Sequence, residues 1–144
     1  MNENRNTDRM AAAGSAIESG GAAPSPGGIA ARALPHADTA VQLDAPVSVD
    51  QLPGFRAGLV SVQDGAAQLA AAQMQLAAGQ RVLDACAAPG GKTGHILELA
   101  PELEALVAID SDTRRIGKIR DNLARLQLEA QLIAADAGDT RRWW

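Results

Sequence analysis

The strongest constraint on the fold is the alternation of short apolar runs and helical segments in the second half of the chain. Three runs have the length and composition of buried strands: RVLDA (81–85), EALVAID (104–110) and AQLIAAD (130–136). Helical segments separate them, GHILELA (94–100) between the first two and residues 112–126 between the last two. A strand–helix–strand–helix–strand order predicts a parallel α/β sheet with right-handed crossovers.

Each predicted strand carries an aspartate at or beside its carboxyl end, and these residues, Asp84, Asp110 and Asp136, are spaced 26 positions apart. Parallel strands bring their carboxyl ends to one edge of the sheet, where open α/β folds bind ligands. A single aspartate at such a position is more often a solvated strand end or a helix cap. Three at matching positions favour a ligand site at this edge.

The loop after the first predicted strand, Asp84-Ala-Cys-Ala-Ala-Pro-Gly-Gly-Lys-Thr93, admits three interpretations. A phosphate-binding P-loop needs Gly-x4-Gly-Lys-Ser/Thr; Gly91, Lys92 and Thr93 fit, but Cys86 occupies the position of the first glycine. A dinucleotide-binding loop needs Gly-x-Gly-x-x-Gly, which PGGKTG does not supply. Both matches therefore fail at a glycine that the loop requires.

The third interpretation is the acid-x-Gly-x-Gly-x-Gly loop of class I S-adenosylmethionine methyltransferases. After Asp84, the three glycine positions hold the small residues Cys86, Ala88 and Gly90. Small residues let the backbone approach the methionine part of the cofactor. Spacing favours this interpretation over the other two.

The two later aspartates fit the same cofactor. Asp110 lies 20 residues past Gly90, at the end of the second predicted strand, where an acid accepts hydrogen bonds from ribose hydroxyls. Asp136 ends the third predicted strand, in position to reach the adenine amino group or its neighbours. We therefore predict that both residues contact the cofactor.

Charge and composition exclude several other classes of protein. A net charge of −4 argues against binding nucleic acid by charge alone. One cysteine excludes a disulfide framework and a thiolate cluster, and we predict no metal site. The polar start and the lack of a long apolar run predict neither a signal peptide nor a membrane span, which points to the cytoplasm.

Composition also divides the chain into three parts. Residues 1–37 contain the low-complexity stretch from Ala11 to Gly28 and are expected to be mostly flexible. Residues 38–57 predict an extended connecting segment broken by prolines. Residues 58–144 form the predicted cofactor-binding part, beginning with a helix capped by the Ser61–Asp64 box and closed by Gly79.

The segment DACAAPGGKTGHILE (84–98) resembles the signature of the RsmB/Nop (Sun) family of RNA cytosine-5 methyltransferases. LPGFRAGLVSVQDGAAQLAA, VAID and AAD resemble the segments that flank it. The similarity runs from about Ala40 to the end and is strongest to the bacterial enzymes of small-subunit ribosomal RNA. It implies the N-terminal part of a class I, Rossmann-like sheet, truncated after the third strand.

The resemblance also implies S-adenosylmethionine as the cofactor and RNA, specifically ribosomal RNA, as the partner. In that family the loop and two acids hold the cofactor. The matching residues here are Cys86, Ala87, Ala88, Pro89, Gly90, Gly91, Lys92, Asp110 and Asp136.

The sequence departs from the family in its catalytic segments. The family's chemistry needs two cysteines, in a DAPCS and a Thr-Cys-Ser motif, and neither motif occurs here. Cys86 lies in the cofactor loop, so we interpret it as a small buried hydrophobic residue or a cofactor contact. We therefore assign no catalytic residue and expect a fragment of a longer enzyme, inactive on its own. A class I methyltransferase of another substrate and a non-catalytic remnant remain alternatives.

Overall fold

The first part of the chain forms a small antiparallel hairpin. The computed structural model describes residues 28–35 and 37–144, which divide between Gly65 and Ala66 into two compact units. In the first unit, β1 (Ala31–Leu34) pairs with β2 (Ala37–Leu43), and a 3-10 turn follows at Val49–Gln51. The sequence predicts extended chain after residue 38 but not β1, whose four residues are too short to show an alternating pattern.

The low-complexity stretch, Ala11 to Gly28, lies outside the described residues except for its last glycine.

The second unit contains the predicted parallel sheet. Its elements are α1 (Gly65–Gln73, which starts at the division), β3 (Arg81–Ala85), α2 (Gly91–Leu99), β4 (Ala105–Asp110), α3 (Thr113–Leu126), β5 (Gln131–Ala134) and a final 3-10 turn (Thr140–Arg142). The strands run parallel in the order β3-β4-β5. The predicted α/β fold and strand order are confirmed, and within the described residues β3 is an edge strand.

Three predicted boundaries are wrong: both ends of helix α1 and the end of strand β5. Helix α1 begins at Gly65 and ends at Gln73, so Ser61 is not its N-cap and Gly79 does not close it. Its sequence, GAAQLAAAQ, is mostly alanine, which favours helix without marking its ends. Strand β5 ends at Ala134, before Asp136, because Asp136 begins a turn.

Helix α3 packs through the predicted apolar stripe. Its N-cap is Asp112, whose side chain accepts a hydrogen bond from the Arg114 backbone N–H. Burying each large aliphatic side chain of the stripe contributes about 1.5–3 kcal/mol. The stripe residues, each at most 7% exposed, are Ile116, Ile119, Leu123 and Leu126.

Small residues let the loop and the helices approach the sheet closely. The stripe packs against Ala108 of β4 and Ala87 of the loop after β3. At Gly94 of α2, a Cβ atom would lie 2.7 Å from the Leu126 Cδ1 atom. A second cluster joins α1, β3, α2 and β4 through Ala71, Val82, Ile96 and Leu106. The start of α2 is thereby fixed beside the carboxyl ends of β3 and β4.

Candidate cofactor site

The loop between β3 and α2 bends over the carboxyl end of the neighbouring strand. Sheet register places Ala85 opposite Ile109 and Asp110 opposite Ala134, so the strand ends share one edge. The Ala87 N–H donates to the Ile109 carbonyl at 2.9 Å. This bond extends the β3–β4 pairing into the loop and draws the loop toward β4.

Two left-handed residues give the loop its shape. Cys86 has φ 58° and Gly90 has φ 94°, and the Gly90 N–H donates to the Ala87 carbonyl at 2.7 Å. A Cβ atom at Gly90 would lie 3.1 Å from the Ile119 Cγ2 atom and 3.2 Å from its Cα atom. The backbone conformation and the close helix both require glycine at position 90.

Cys86 does not have the predicted buried environment. Its thiol is free and the residue is exposed, because the left-handed turn directs this position away from the core cluster that contains Ala87. The interpretation of Cys86 as a small buried hydrophobic residue is therefore wrong.

Asp110 is the most enclosed acid of the site, with 1% of the residue exposed. Its Oδ1 atom accepts a hydrogen bond from the Asp112 N–H at 3.1 Å. Its Oδ2 atom accepts one from the Ala88 N–H at 3.3 Å. The structure thus brings together two of the predicted site residues, Asp110 and Ala88, and ties the cofactor loop to the end of β4.

Arg115 completes this contact and was not assigned to the site from the sequence. Its Nη1 atom lies 3.3 Å from the Asp110 Oδ2 atom, and its Nη2 atom donates to the Ala88 carbonyl at 3.3 Å. In the sequence it belongs to a basic run on α3 that predicts only a solvated face. A signal was available, since side chains in a helix lean toward its N-terminus and Arg115 lies in the first turn after Asp110.

Thr93 is a second residue whose role was not predicted. It is fully buried, and its hydroxyl donates to the Asp84 Oδ2 atom at 2.6 Å. A short hydrogen bond to a carboxylate is of the stronger kind. It joins the first turn of α2 to the end of β3 and holds the Asp84 carboxylate in one orientation.

The start of α2 is suited to an anionic group. Its N-cap is Gly90, and within the described residues no side chain caps the helix and no acid lies in its first turn. The first backbone N–H groups of a helix lack internal partners and favour negative charge. Lys92, in the same turn, is exposed, as is Pro89 before it.

Asp136 has a different environment from Asp110. It is exposed, and its Oδ1 atom accepts a hydrogen bond from the Gly138 N–H at 2.7 Å, which forms a tight turn after β5. Its carbonyl accepts a bond from the Trp143 Nε1 atom at 3.3 Å. Between Asp136 and the 86–92 loop, the described part of the chain shows no hydrogen bond or ion pair.

Three titratable groups near the site have shifted pKa values, and the pKa of the Arg114 guanidinium is raised, chiefly by its hydrogen bond to the Asp112 side chain. The Arg114 side chain, and after it the Arg114 backbone N–H, lowers the pKa of the Asp112 carboxyl below its usual value. Burial lowers the pKa of the His95 imidazole, whose Nδ1 atom is buried and has no partner among the described residues. His95 is therefore neutral at pH 7 and lies in the packing of α2.

Two other kinds of feature are absent from residues 28–35 and 37–144. No helix there is long and apolar enough to cross a membrane. No group of three or more His, Cys, Asp or Glu residues there could hold a metal ion.

Comparison with known proteins agrees with this geometry. Residues 71–144 match the family model described as 16S rRNA methyltransferase RsmB/F. The chain is 53% identical over 117 residues to ribosomal RNA small subunit methyltransferase B of Pseudomonas syringae pv. tomato, which covers 81% of this chain and 26% of that protein. The same-named protein of Vibrio cholerae is 54% identical over 112 residues, 76% of this chain and 26% of its own length.

A solved structure supports the fold. The crystal structure of a methyltransferase homologue from Pyrococcus horikoshii superposes with a TM-score of 0.69 and 28% identity, over 79% of this chain and 39% of that one. The chain spans about a quarter of the length of the curated relatives above. Its three-stranded parallel sheet is part of a Rossmann-like methyltransferase fold. The family model covers half of the chain, and the chain belongs to the RsmB/F family of 16S rRNA methyltransferases.

Proposed function

We propose that this chain is the cofactor-binding part of an S-adenosylmethionine-dependent methyltransferase that methylates C5 of a cytosine in small-subunit ribosomal RNA. The observation that carries the proposal is the hydrogen bond from the Ala88 N–H to the Asp110 carboxylate. It joins the small-residue loop to an acid at the neighbouring strand end, the two features that the cofactor requires. Family membership supports the reaction class.

The residues present fit the cofactor's chemical groups. Its carboxylate suits the start of α2, where the first-turn N–H groups lack a side-chain cap within the described residues. Its ribose hydroxyls are donors, and the Asp110 carboxylate is an oriented acceptor. Its adenine amino group is a hydrogen-bond donor, and the exposed Asp136 carboxylate is the proposed acceptor. The full proposed set is Cys86, Ala87, Ala88, Pro89, Gly90, Gly91, Lys92, Asp110 and Asp136.

When bound, the cofactor supplies an electrophilic methyl group on a sulfonium. The residues of this chain bind and orient it, but the attack on C6 of the cytosine ring needs a cysteine thiolate. The one cysteine here, Cys86, lies in the cofactor loop. We therefore propose that residues 1–144 bind the cofactor and transfer no methyl group by themselves. We propose ribosomal RNA as the partner, because the names of the relatives specify it, and the cytoplasm as the location.

A calorimetric titration with S-adenosylmethionine tests the binding part of this proposal. We expect one site in the unmodified chain and at least tenfold weaker binding for Gly90→Ala. Its Cβ atom would meet the Ile119 backbone at 3.2 Å and distort the loop. Gly79→Ala is the matched control, because φ is also positive there, at 76°, but its Cβ atom would meet nothing within 4 Å. Equal affinity for both variants would remove the loop from the site.

A methyl-transfer assay tests the rest. Tritiated S-adenosylmethionine is incubated with 16S rRNA and either this chain or a longer protein that contains the DAPCS and Thr-Cys-Ser segments. We expect 5-methylcytidine only with the longer protein. Transfer by residues 1–144 would contradict the assignment of the catalytic cysteines. Methylation of a different base by the longer protein would contradict the cytosine assignment.

A further inference from the structure

Two neighbouring arginines at the start of α3 make different contacts. Arg114 extends into solvent, with 89% of its side chain exposed, and pairs with Asp112 at 2.8 Å. Arg115 is only half exposed, at 48%, and reaches back over the sheet edge to Asp110 and the cofactor loop. A basic run on a solvated face does not account for the orientation of Arg115.

The Arg115 contacts form a closed ring with one segment of the loop. The Ala88 N–H donates to the Asp110 Oδ2 atom, and the Arg115 Nη2 atom donates to the Ala88 carbonyl. The Arg115 Nη1 atom lies 3.3 Å from the same Asp110 oxygen. The Ala88 N–H is therefore held by Asp110, and the Ala88 carbonyl is held by Arg115.

Only a guanidinium suits this arrangement. It is planar, stays charged at any physiological pH, and can pair with the Asp110 carboxylate while it donates to the Ala88 carbonyl. A lysine ammonium at the same place could neutralise the Asp110 charge but could not hold both acceptors in a fixed geometry.

The ring also determines how the Asp110 carboxylate faces a ligand. An ionised carboxylate has about four acceptor positions. Two accept hydrogen bonds from the Asp112 and Ala88 N–H groups, and the Arg115 guanidinium forms an ion pair with the Oδ2 atom. The orientation of the carboxylate is thus fixed before any ligand arrives, and an ordered acceptor loses less entropy on binding.

We propose that Arg115 is a positioning residue of the cofactor site, which fixes the Ala88 segment of the loop and holds the buried Asp110 carboxylate in one orientation. This inference rests on the function proposed above, because it assumes that the loop and Asp110 hold S-adenosylmethionine. Arg115 acts through these two groups and needs no contact of its own with the cofactor.

The test compares three substitutions by calorimetric titration with S-adenosylmethionine. Arg115→Ala should weaken binding about tenfold and Arg115→Lys about threefold, because lysine restores the positive charge but not the planar guanidinium geometry. Arg114→Ala is the matched control, since it removes the same charge one position away and keeps the backbone cap to Asp112. It should change the affinity less than twofold.

A second readout separates positioning from a general structural role. In an Asp110→Asn background, adding Arg115→Ala should change the affinity by less than twofold, because the group through which Arg115 acts is already altered. Amide hydrogen exchange of the cofactor-free protein should accelerate at residues 87–90 in Arg115→Ala and stay unchanged in Arg114→Ala. If Arg115→Ala proves unstable, Arg115→Lys supplies the same comparison.

The outcomes distinguish the two proposals. If the unmodified chain does not bind S-adenosylmethionine, the proposed function fails. If it binds and Arg115→Ala behaves like Arg114→Ala, the positioning role alone is overturned. Equal losses for Arg115→Ala in the unmodified chain and in the Asp110→Asn background would also overturn it, because Arg115 would then act independently of Asp110.

Discussion

Asp110, the last residue of β4, and Asp136, two residues after β5, are the same residue type in different surroundings. Asp110 is 1% exposed, and its carboxylate is held by two backbone N–H groups and by Arg115. Asp136 is exposed. Within the described residues, its carboxylate accepts a hydrogen bond only from the Gly138 N–H in the adjacent turn. Asp110 is enclosed by the segments around it, and Asp136 lies in a surface turn.

This difference shows what determines the role of an acid at a strand end. The loop after β3 and the first turn of α3 both fold over Asp110, so its carboxylate joins these two segments of the fold. The chain after β5 turns away at Gly138, which leaves Asp136 in water. We therefore expect substitution of Asp110 to lower both the free energy of unfolding and the cofactor affinity. Substitution of Asp136 should lower mainly the affinity.

The largest effect is expected from Asp110→Ala. It leaves the Ala88 and Asp112 N–H groups without their acceptor and Arg115 without its counter-charge. We expect the free energy of unfolding to fall by about 2–3 kcal/mol and S-adenosylmethionine binding to be lost. Denaturant unfolding and calorimetry measure the two quantities. A change in stability below about 0.5 kcal/mol, the range of ordinary surface substitutions, would show that the contacts around Asp110 contribute little.

The second-largest effect is expected from Thr93→Val, which tests whether a hydrogen bond to an aspartate stabilises the end of β3 as it does the end of β4. Thr93→Val keeps the shape of the buried side chain but removes the hydroxyl that donates to Asp84. We expect a loss of about 1–2 kcal/mol in the free energy of unfolding, since a carboxylate oxygen loses its partner. Thr93→Ser is the control that keeps the hydroxyl and removes a methyl group. If Thr93→Val is as stable as the unmodified chain, the bond to Asp84 does not support the fold.

The third effect is expected from Asp136→Ala, the counterpart of Asp110→Ala. Asp136→Ala removes an exposed carboxylate and one bond of a surface turn, so we expect a stability change of about 0.5 kcal/mol or less. Its cofactor affinity should nevertheless fall several-fold if the carboxylate accepts from the adenine amino group. An affinity equal to that of the unmodified chain would remove Asp136 from the proposed site and leave Asp110 as its acidic contact.

The smallest effect concerns pH. Because the Arg114 side chain and backbone N–H lower the pKa of Asp112, the folded state holds this carboxyl ionised more strongly than the unfolded chain does. The associated stability is present above the ordinary carboxyl pKa and is lost as pH falls through the lowered folded value. An NMR titration should show the Asp112 pKa rising toward its usual value in Arg114→Ala. An unchanged pKa in that variant would contradict the stated cause.

The sequence predicted the sheet well because its signals are local. The bounds of β3 and the buried stripe of α3 follow from periodicity and from the Asp112 cap. The end of β5 was placed too late, because the turn that Asp136 forms with Gly138 depends on backbone geometry that its residue type only permits. The start of α1 was missed because alanine-rich sequence propagates a helix without marking where it begins.

The sequence predicted that the loop and Asp110 lie close together, but it did not predict which side chains connect them. Residue spacing placed Asp110 and the 86–92 loop at one edge, and the structure joins them through Ala88. The roles of Thr93 and Arg115 depend on contacts across 9 and 27 positions of the chain, to Asp84 and to Ala88, and local pattern indicates only that the Arg115 side chain leans toward the start of α3. The exposure of Cys86 likewise follows from a left-handed turn that its residue type does not indicate.

The central claim is that S-adenosylmethionine binds where the loop after β3 meets the end of β4. The most direct measurement is a two-dimensional amide NMR titration of the ¹⁵N-labelled chain with the cofactor. We expect the largest shifts at the amides of residues 86–88, 90–93 and 110–112, with Ala88 and Asp112 among the strongest because both donate to Asp110. Shifts confined to other residues, or none at saturating cofactor, would contradict it.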